Sequence, residues 1–229
     1  MPMHSDEWKL DNPVWYSLER TQAAFAIPEE GAVFYHPDFC PFGAFMDGQD
    51  SSAAMERYAR LCDSFFMVGE EPRYDRAKFT QRDLICDQML YSVPVQQEIT
   101  ADITELGDAH AEDLFKLVTT GLPGYFREKT RLLGHYYGIY ENGELLSVCG
   151  ERMIMPGFTE VSAVVTHPAH TGKGYSGQLM AHCTQQILKA GQVPYLHVAE
   201  VNERAIRVYE RAGFRFRRKM NFRHFTPRV

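Results

Sequence analysis

The 229-residue chain has no apolar run near the ~20 residues that a membrane-spanning helix needs. Its opening stretch, MPMHSDEWKLDN, lacks the apolar core of a secretion signal. Cysteine is scarce and unpatterned: Cys40, Cys62, Cys86, Cys149 and Cys183 make five, an odd number, with no C-x-x-C. A disulfide framework and a zinc site are therefore unsupported, and no metal is expected. Together these absences place the chain in a reducing cytoplasm. Positive charge is not in excess either. The formal net charge of -6 argues against non-specific binding to nucleic acid or to an anionic membrane. No internal repeat and no low-complexity tract stands out.

What is present is an ordinary globular composition. Hydrophobic residues make up 45% and charged residues 24%, enough for a buried core in one large domain or two modest ones. Residues 1–95 read as a mixed region. NPVWYSLERTQAAFAI (Asn12 to Ile27) predicts a helix capped by Asn12, with Pro13 at its first position. Short strands follow in GAVFYH, GAFMD, SFFMVG and LICDQMLYSV, with a helix in SSAAMERYARLCD. A boundary falls near Pro94. After it, residues 96–229 predict β-α-α-β-β-β-α-β-α-β. EITADITELG is a strand, DAHAEDLFKLVTTG a helix with Asp108 as N-cap, and PGYFREKTRLLG a second helical segment. HYYGIYENGELLSVCGERM carries the clearest hairpin, turning at Asn142-Gly143.

The most informative stretch is HPAHTGKGYSGQLM, which contains G-K-G-Y-S-G from Gly172 to Gly177, a literal G-x-G-x-x-G. A dinucleotide fingerprint needs those glycines directly after a strand, with an acidic residue about 20 positions on. Here six residues, THPAHT, intervene after the Val161–Val165 strand, and Glu200 lies too far along. A P-loop fails as well, because Gly174 follows Lys173 where Ser or Thr is required. The shared physics survives. A small-residue loop opening a helix brings backbone N–H groups and the helix N-terminus to an anion.

P-A-H-T-G-K-G-Y-S-G-Q-L-M resembles the acetyl-CoA loop of the GCN5-related N-acetyltransferase (GNAT) superfamily, whose pattern is Q/R-x-x-G-x-G/A. Thr171 stands at the Q/R place, Gly174 at the Gly place and Ser176 at the G/A place. Asn202 to Phe214, NERAIRVYERAGF, is similar to the second signature, N-x-x-A-x-x-x-Y-x-x-x-G-F. TEVSAVVTHP and YLHVAEVN further resemble the FR47-like branch. The likeness spans roughly residues 98–225. It implies an α/β (α+β) GNAT fold: a mixed, mainly antiparallel sheet, flanked by helices and splayed between the Val161 and Tyr195 strands to admit acetyl-CoA. The N-terminal α/β region reads as a degenerate second GNAT-like half. Thr171 departs from a basic or amide side chain, which implies weaker cofactor binding but leaves the backbone donors in place.

The resemblance also implies roles. Thr171, Gly172, Lys173, Gly174, Tyr175, Ser176 and Gly177 would cradle the pyrophosphate. Without the second signature they read as a plain loop-to-helix turn. Val164 and Val165 would offer backbone groups to the thioester. Asn202 would contact the pantetheine arm besides capping its helix. Tyr209 would be the acid for the departing thiolate, or else one more apolar-face residue. Glu160 shares a strand face with Ser162 and Val164 by alternation. It is a candidate base for the amine, or else an exposed strand-end carboxylate. His197, mid-strand, is the competing base or a satisfied core residue. No Cys sits in a nucleophile context, so direct transfer to a primary amine of a small molecule is expected, without an acyl-enzyme. The expected partners are acetyl-CoA and an amine acceptor, not nucleic acid or membrane, for a monomer or homodimer. A non-catalytic acyl-CoA-binding sensor or interaction module is the alternative reading.

Overall fold

A computed structural model describes residues 6–46, 48–121 and 124–228. In chain order the elements are α1 (Pro13–Tyr16), β1 (Ala26–Glu29), β2 (Ala32–Tyr35), β3 (Phe42–Ala44), α2 (Ser52–Tyr58), β4 (Phe65–Val68) and β5 (Phe79–Tyr91). They continue with β6 (Thr104–Glu105), α3 (Ala111–Gly121), β7 (Tyr136–Glu141), β8 (Glu144–Met155), β9 (Phe158–Thr166), α4 (Tyr175–Lys189), β10 (Val193–Ala199), α5 (Glu203–Arg211) and β11 (Phe214–Pro227). No helix among the described residues is long and apolar enough to cross a membrane. Local chemistry sets several boundaries. Asn142 and Gly143 both have positive φ, 52° and 81°, as the tight β7–β8 turn requires. Asn202 caps α5 by accepting the Ala205 N–H at 3.1 Å.

All the strands join one sheet in the order β1-β2-β3-β4-β11-β5-β10-β9-β8-β7-β6. The order is nearly palindromic about the β11–β5 pair. On one side β1, β2 and β3 run antiparallel, then β3 meets β4 in parallel across α2. On the other, β7, β8 and β9 run antiparallel, then β9 meets β10 in parallel across α4. The central strands are exchanged. β5, from the first part of the chain, lies against β10, and β11, from the last part, lies against β4.

The two faces hold separate cores. Under α4, Leu179, Met180, Cys183 and Ile187 pack on Tyr137, Cys149, Val161, Leu196 and Val198. On the opposite face α3 packs Leu114, Leu117 and Val118 on Tyr136, Val148 and Val165. Farther along that second face, Leu10, Val14 and Leu18 of the N-terminal segment cover Phe158, Tyr195, Met220 and Phe222.

Three predicted elements differ, each for a tertiary reason. The helix expected over Asn12 to Ile27 holds only for α1, then gives way to a wide turn, a 3-10 turn and β1. Buried Gln22 is what breaks it. Its amide donates to the Leu133 and Arg152 carbonyls at 2.8 and 2.7 Å and accepts from the Ile154 N–H. The strand expected over Glu98 to Gly107 shrinks to β6, because the N–H groups of Thr100 and Ala101 go to the Gln178 side chain instead of a ladder. The second helix expected from Pro123 reduces to a 3-10 turn at Thr130–Leu133, where the Thr130 hydroxyl accepts the Arg127 N–H. Pro123 itself, and Asp47 of the expected GAFMD strand, lie outside the described residues.

Candidate active site

The site begins where two parallel strands part. β9 and β10 pair only through Val193↔Phe158, Pro194↔Thr159 and Tyr195↔Glu160. Beyond that point β10 keeps pairing with β5, and β9 keeps pairing with β8, so a seam opens between them. On the β9 side of the seam Ala163 has φ 51°, in the left-handed region, and the β8–β9 register slips between Val148 and Gly150. An extra residue on one strand is a β-bulge, which re-aims backbone groups. A non-glycine residue held there costs about 1–3 kcal/mol of local strain. The bulge also corrects the alternation reading. Val164 does not share the face of Glu160; it packs on the α4 side with Val161. Val165 packs on the α3 side.

The glycine loop follows β9 through a 3-10 turn at Pro168–His170. Gly172 and Gly174 have φ 85° and 78°, values that a side chain makes strained. A Cβ built at Gly172, Gly174 or Gly177 meets nothing within 4 Å, so the loop faces open space. Gly174 is the N-cap of α4 and offers no side chain, leaving the first-turn N–H groups to an outside acceptor. An anion already stands beside the loop. Glu141, at the end of β7, takes the Lys173 ammonium at 3.1 Å and the Tyr175 hydroxyl, and both hold its carboxyl below the usual range. Thr171 turns its hydroxyl to the Pro168 carbonyl at 3.3 Å. Between α4 and α5 runs a cleft of about 240 Å³ lined by Gly174, Ser176, Gly177, Tyr91, Val208 and Ala212. The unpartnered, buried Thr184 hydroxyl lies along the same cleft. The residues present thus fit a ligand with a phosphate head and a narrow, partly apolar arm. Tyr209 on α5 packs against the core beneath, and burial pushes its hydroxyl above the usual range, so it keeps its proton at neutral pH.

On the other face a row of polar side chains crosses five adjacent strands. Arg152 on β8 donates from Nε and Nη2 to the two Glu160 oxygens on β9, each at 2.8 Å. Glu160 Oε1 also meets His197 Nδ1 on β10 at 2.8 Å. His197 Nε2 lies 3.1 Å from Gln88 Nε2 on β5. The Gln88 amide is oriented by its other bonds: Oε1 accepts Arg217 Nη1 of β11 at 2.8 Å, and Nε2 donates to the Leu10 carbonyl at 2.7 Å. Gln88 therefore donates to His197 Nε2, and the imidazole proton sits on Nδ1, pointing at Glu160. Glu160 is fully buried, which corrects the picture of an exposed strand-end carboxylate. Burial alone would raise its pKa; Arg152 and then His197 overcome that and hold it at about 2. Arg152, Gln88 and Arg217 were not singled out from sequence. Arg217 is the extra residue of a β11 bulge between Phe216 and Arg218, a position alternation cannot reveal.

A second, larger cavity of about 1080 Å³ opens past the end of β10. β10 stops at Ala199 opposite Cys86, while β5 continues outward through Leu84 and Arg82 to line it. Tyr125 and Phe66 complete its apolar wall, and both belong to the core that contains Tyr195 and Phe158. Its lining comes from five separated stretches of chain, so no local motif could announce it. Burial pushes the Cys62 thiol in its wall up to about 11, and the nearby Cys40 and Cys86 thiols to about 12. Thiols that stay protonated are poor nucleophiles.

A sheet opened at one parallel seam, with a glycine-rich helix entrance beside it, defines the GNAT fold. The chain belongs to the GCN5-related N-acetyltransferase superfamily, in its FR47-like branch. The family model for FR47-like protein matches residues 136–223. A structure described as a GNAT-family acetyltransferase from Novosphingobium aromaticivorans is 30% identical, with 96% of this chain and 99% of that one covered, at a TM-score of 0.85. A GCN5-related N-acetyltransferase-like protein from Streptococcus suis shares the fold at 12% identity, over 94% and 92% of the two chains, with a TM-score of 0.60. A GCN5-related N-acetyltransferase from Kribbella flavida does so at 16% identity, over 93% and 96%, with a TM-score of 0.58. A search of curated proteins gave no match.

Proposed function

We propose that the chain moves an acetyl group from acetyl-CoA directly to a primary amine of a small molecule. The observation that carries this is the glycine loop, whose open space and unpaired first-turn N–H groups sit beside the β9–β10 seam. Acetyl-CoA would supply an activated acyl group as a thioester. Gly172, Lys173, Gly174, Tyr175, Ser176 and Gly177 bind its phosphates, with Lys173 released from Glu141. Asn202 and the α4–α5 cleft hold the arm. Backbone groups of Val164 and Val165, turned by the Ala163 bulge, orient the reacting carbonyl and stabilise charge on its oxygen. Tyr209 holds a proton at its hydroxyl for the leaving sulfur.

The base side is the Glu160–His197 pair. A carboxyl at about 2 takes a proton poorly, so Glu160 works through its partner, accepting the Nδ1 proton of His197 and so fixing its tautomer. His197 lies two residues beyond the last β9–β10 pair, inside the seam. The high thiol pKa values at Cys40, Cys62 and Cys86 support direct transfer over an acyl-enzyme. The cavity past β10 is the acceptor site. Residues 1–95 form a degenerate half of the same fold. There the turn before α2 has Asp50 accepting the Ser52 N–H at 2.9 Å, so a carboxylate caps the helix start where the other half is open. A thiol-release assay with acetyl-CoA and a panel of primary amines tests the reading: amine-dependent release supports it, whereas tight CoA binding with no turnover on any amine marks a sensor.

A further inference from the structure

The cavity past the end of β10 carries charges of both signs that the protein does not pair with each other. Of its lining groups, Asp38 is joined to Lys129 at 2.7 Å. Among the described residues Arg82, Arg127, Asp63, Asp83 and Glu128 make no ion pair. Arg127 is half-buried, where a guanidinium without an anion is costly and water screens it less. Between these charges the wall is flat and aromatic. The Phe66 ring lies 5.4 Å from Tyr125 and 4.6 Å from His224, centroid to centroid. Burial, and then the Arg82 charge, lower the His224 pKa, so its ring is a neutral surface at pH 7.

Two unpaired guanidiniums are suited to a carboxylate or a phosphate. Asp63, Asp83 and Glu128 supply the opposite sign, suited to an ammonium. We infer that the acceptor is an amine that also bears an anionic group, with the anion at Arg82 and Arg127 and an apolar body on the Phe66–Tyr125 wall. This rests on the reading of the cavity as the acceptor site. A volume of about 1080 Å³ leaves room for the anionic group and the apolar body together.

The test uses two matched pairs of amines: L-phenylalanine with L-phenylalaninamide, and O-phosphoethanolamine with ethanolamine. Binding to the CoA-saturated full chain is read by calorimetry, and acetylation by initial rates. In at least one pair the anionic member is expected to bind at least 10-fold tighter and to have the higher kcat/KM. The responding pair tells carboxylate from phosphate. Arg127→Gln and the exposed Arg82→Gln should each shrink that preference while leaving acetyl-CoA affinity and Tm unchanged. Equal or better performance by the neutral member of both pairs overturns the inference, as does failure of every probe to bind, or a preference that survives both variants. Failure of acetyl-CoA itself to bind is a different result and overturns the acetyltransferase reading instead.

Discussion

At the scale of single residues, the cradle is the sharpest object. Gly174 combines a φ of 78° with open space ahead of it. Gly174→Glu strains the backbone and puts a negative charge where phosphate should sit. Acetyl-CoA affinity is expected to fall more than ~10-fold, over ~1.4 kcal/mol, by calorimetry on a variant shown to be folded. Unchanged affinity would remove the loop from the cofactor site. Tyr209→Phe keeps the ring and its packing but loses the proton. It should lower kcat by ~10- to 10³-fold with CoA binding nearly intact; wild-type rates would return Tyr209 to the core. Glu160 gives a pH signature. Its folded pKa of about 2 lies below the ordinary 4.5, so its stabilisation is fully present above pH 4.5 and disappears as pH falls through about 2. Glu160→Gln leaves Arg152 buried without its partner. It should cost about 3–5 kcal/mol at pH 7, a gap that narrows towards pH 2 in urea titrations. A constant gap would show that the ion pair is not the cause. The loop, Asn202 and Tyr209 were legible because each motif is local. The partners that close off Glu160 were not, since Arg152, Gln88 and Arg217 meet it or its neighbour only through strand pairing.

Elements were legible in proportion to how far local chemistry decides them. The β7–β8 hairpin has its turn dipeptide, α4 has its apolar repeat and glycine entrance, and α5 has its capping asparagine. The segments that failed are those where a polar side chain bonds backbone outside any ladder or helix: Gln22 to the Leu133 and Arg152 carbonyls, Gln178 to the 100–101 N–H groups, Thr130 to the Arg127 N–H. No periodicity reports such a bond. The same hairpin holds a testable contact, because its last strand residue, Glu141, reaches across to Lys173 and Tyr175. Both partners must be freed, or shared, when a phosphate arrives. Glu141→Gln should therefore tighten acetyl-CoA binding by roughly 2- to 5-fold at low salt, with the gain shrinking as ionic strength rises. Weaker binding in that variant would mean that Glu141 orders the loop instead of competing for it.

For the whole molecule the exchanged pair β5 and β11 is decisive. β5 borders β10 along Tyr195–Ala199 and borders β11 along nearly its full length. A fragment of residues 96–229 keeps every motif read from the sequence, yet lacks the strand between β10 and β11. It should show no cooperative melt alone and regain one when mixed with residues 1–95. A cooperative melt of the fragment alone would mean that the C-terminal part does not need the exchanged strand. The same exchange has a consequence for how the chain reaches its native state. Thr80 and Thr226 are bonded neighbours 146 positions apart. The middle of the sheet cannot close until β11 has been made. β4 and β5 must wait, each with an unpaired edge, for β11. Long-range pairing of this kind slows folding and lengthens exposure to aggregation. Slow closure is therefore expected at the centre of the sheet, one strand from the seam between β9 and β10.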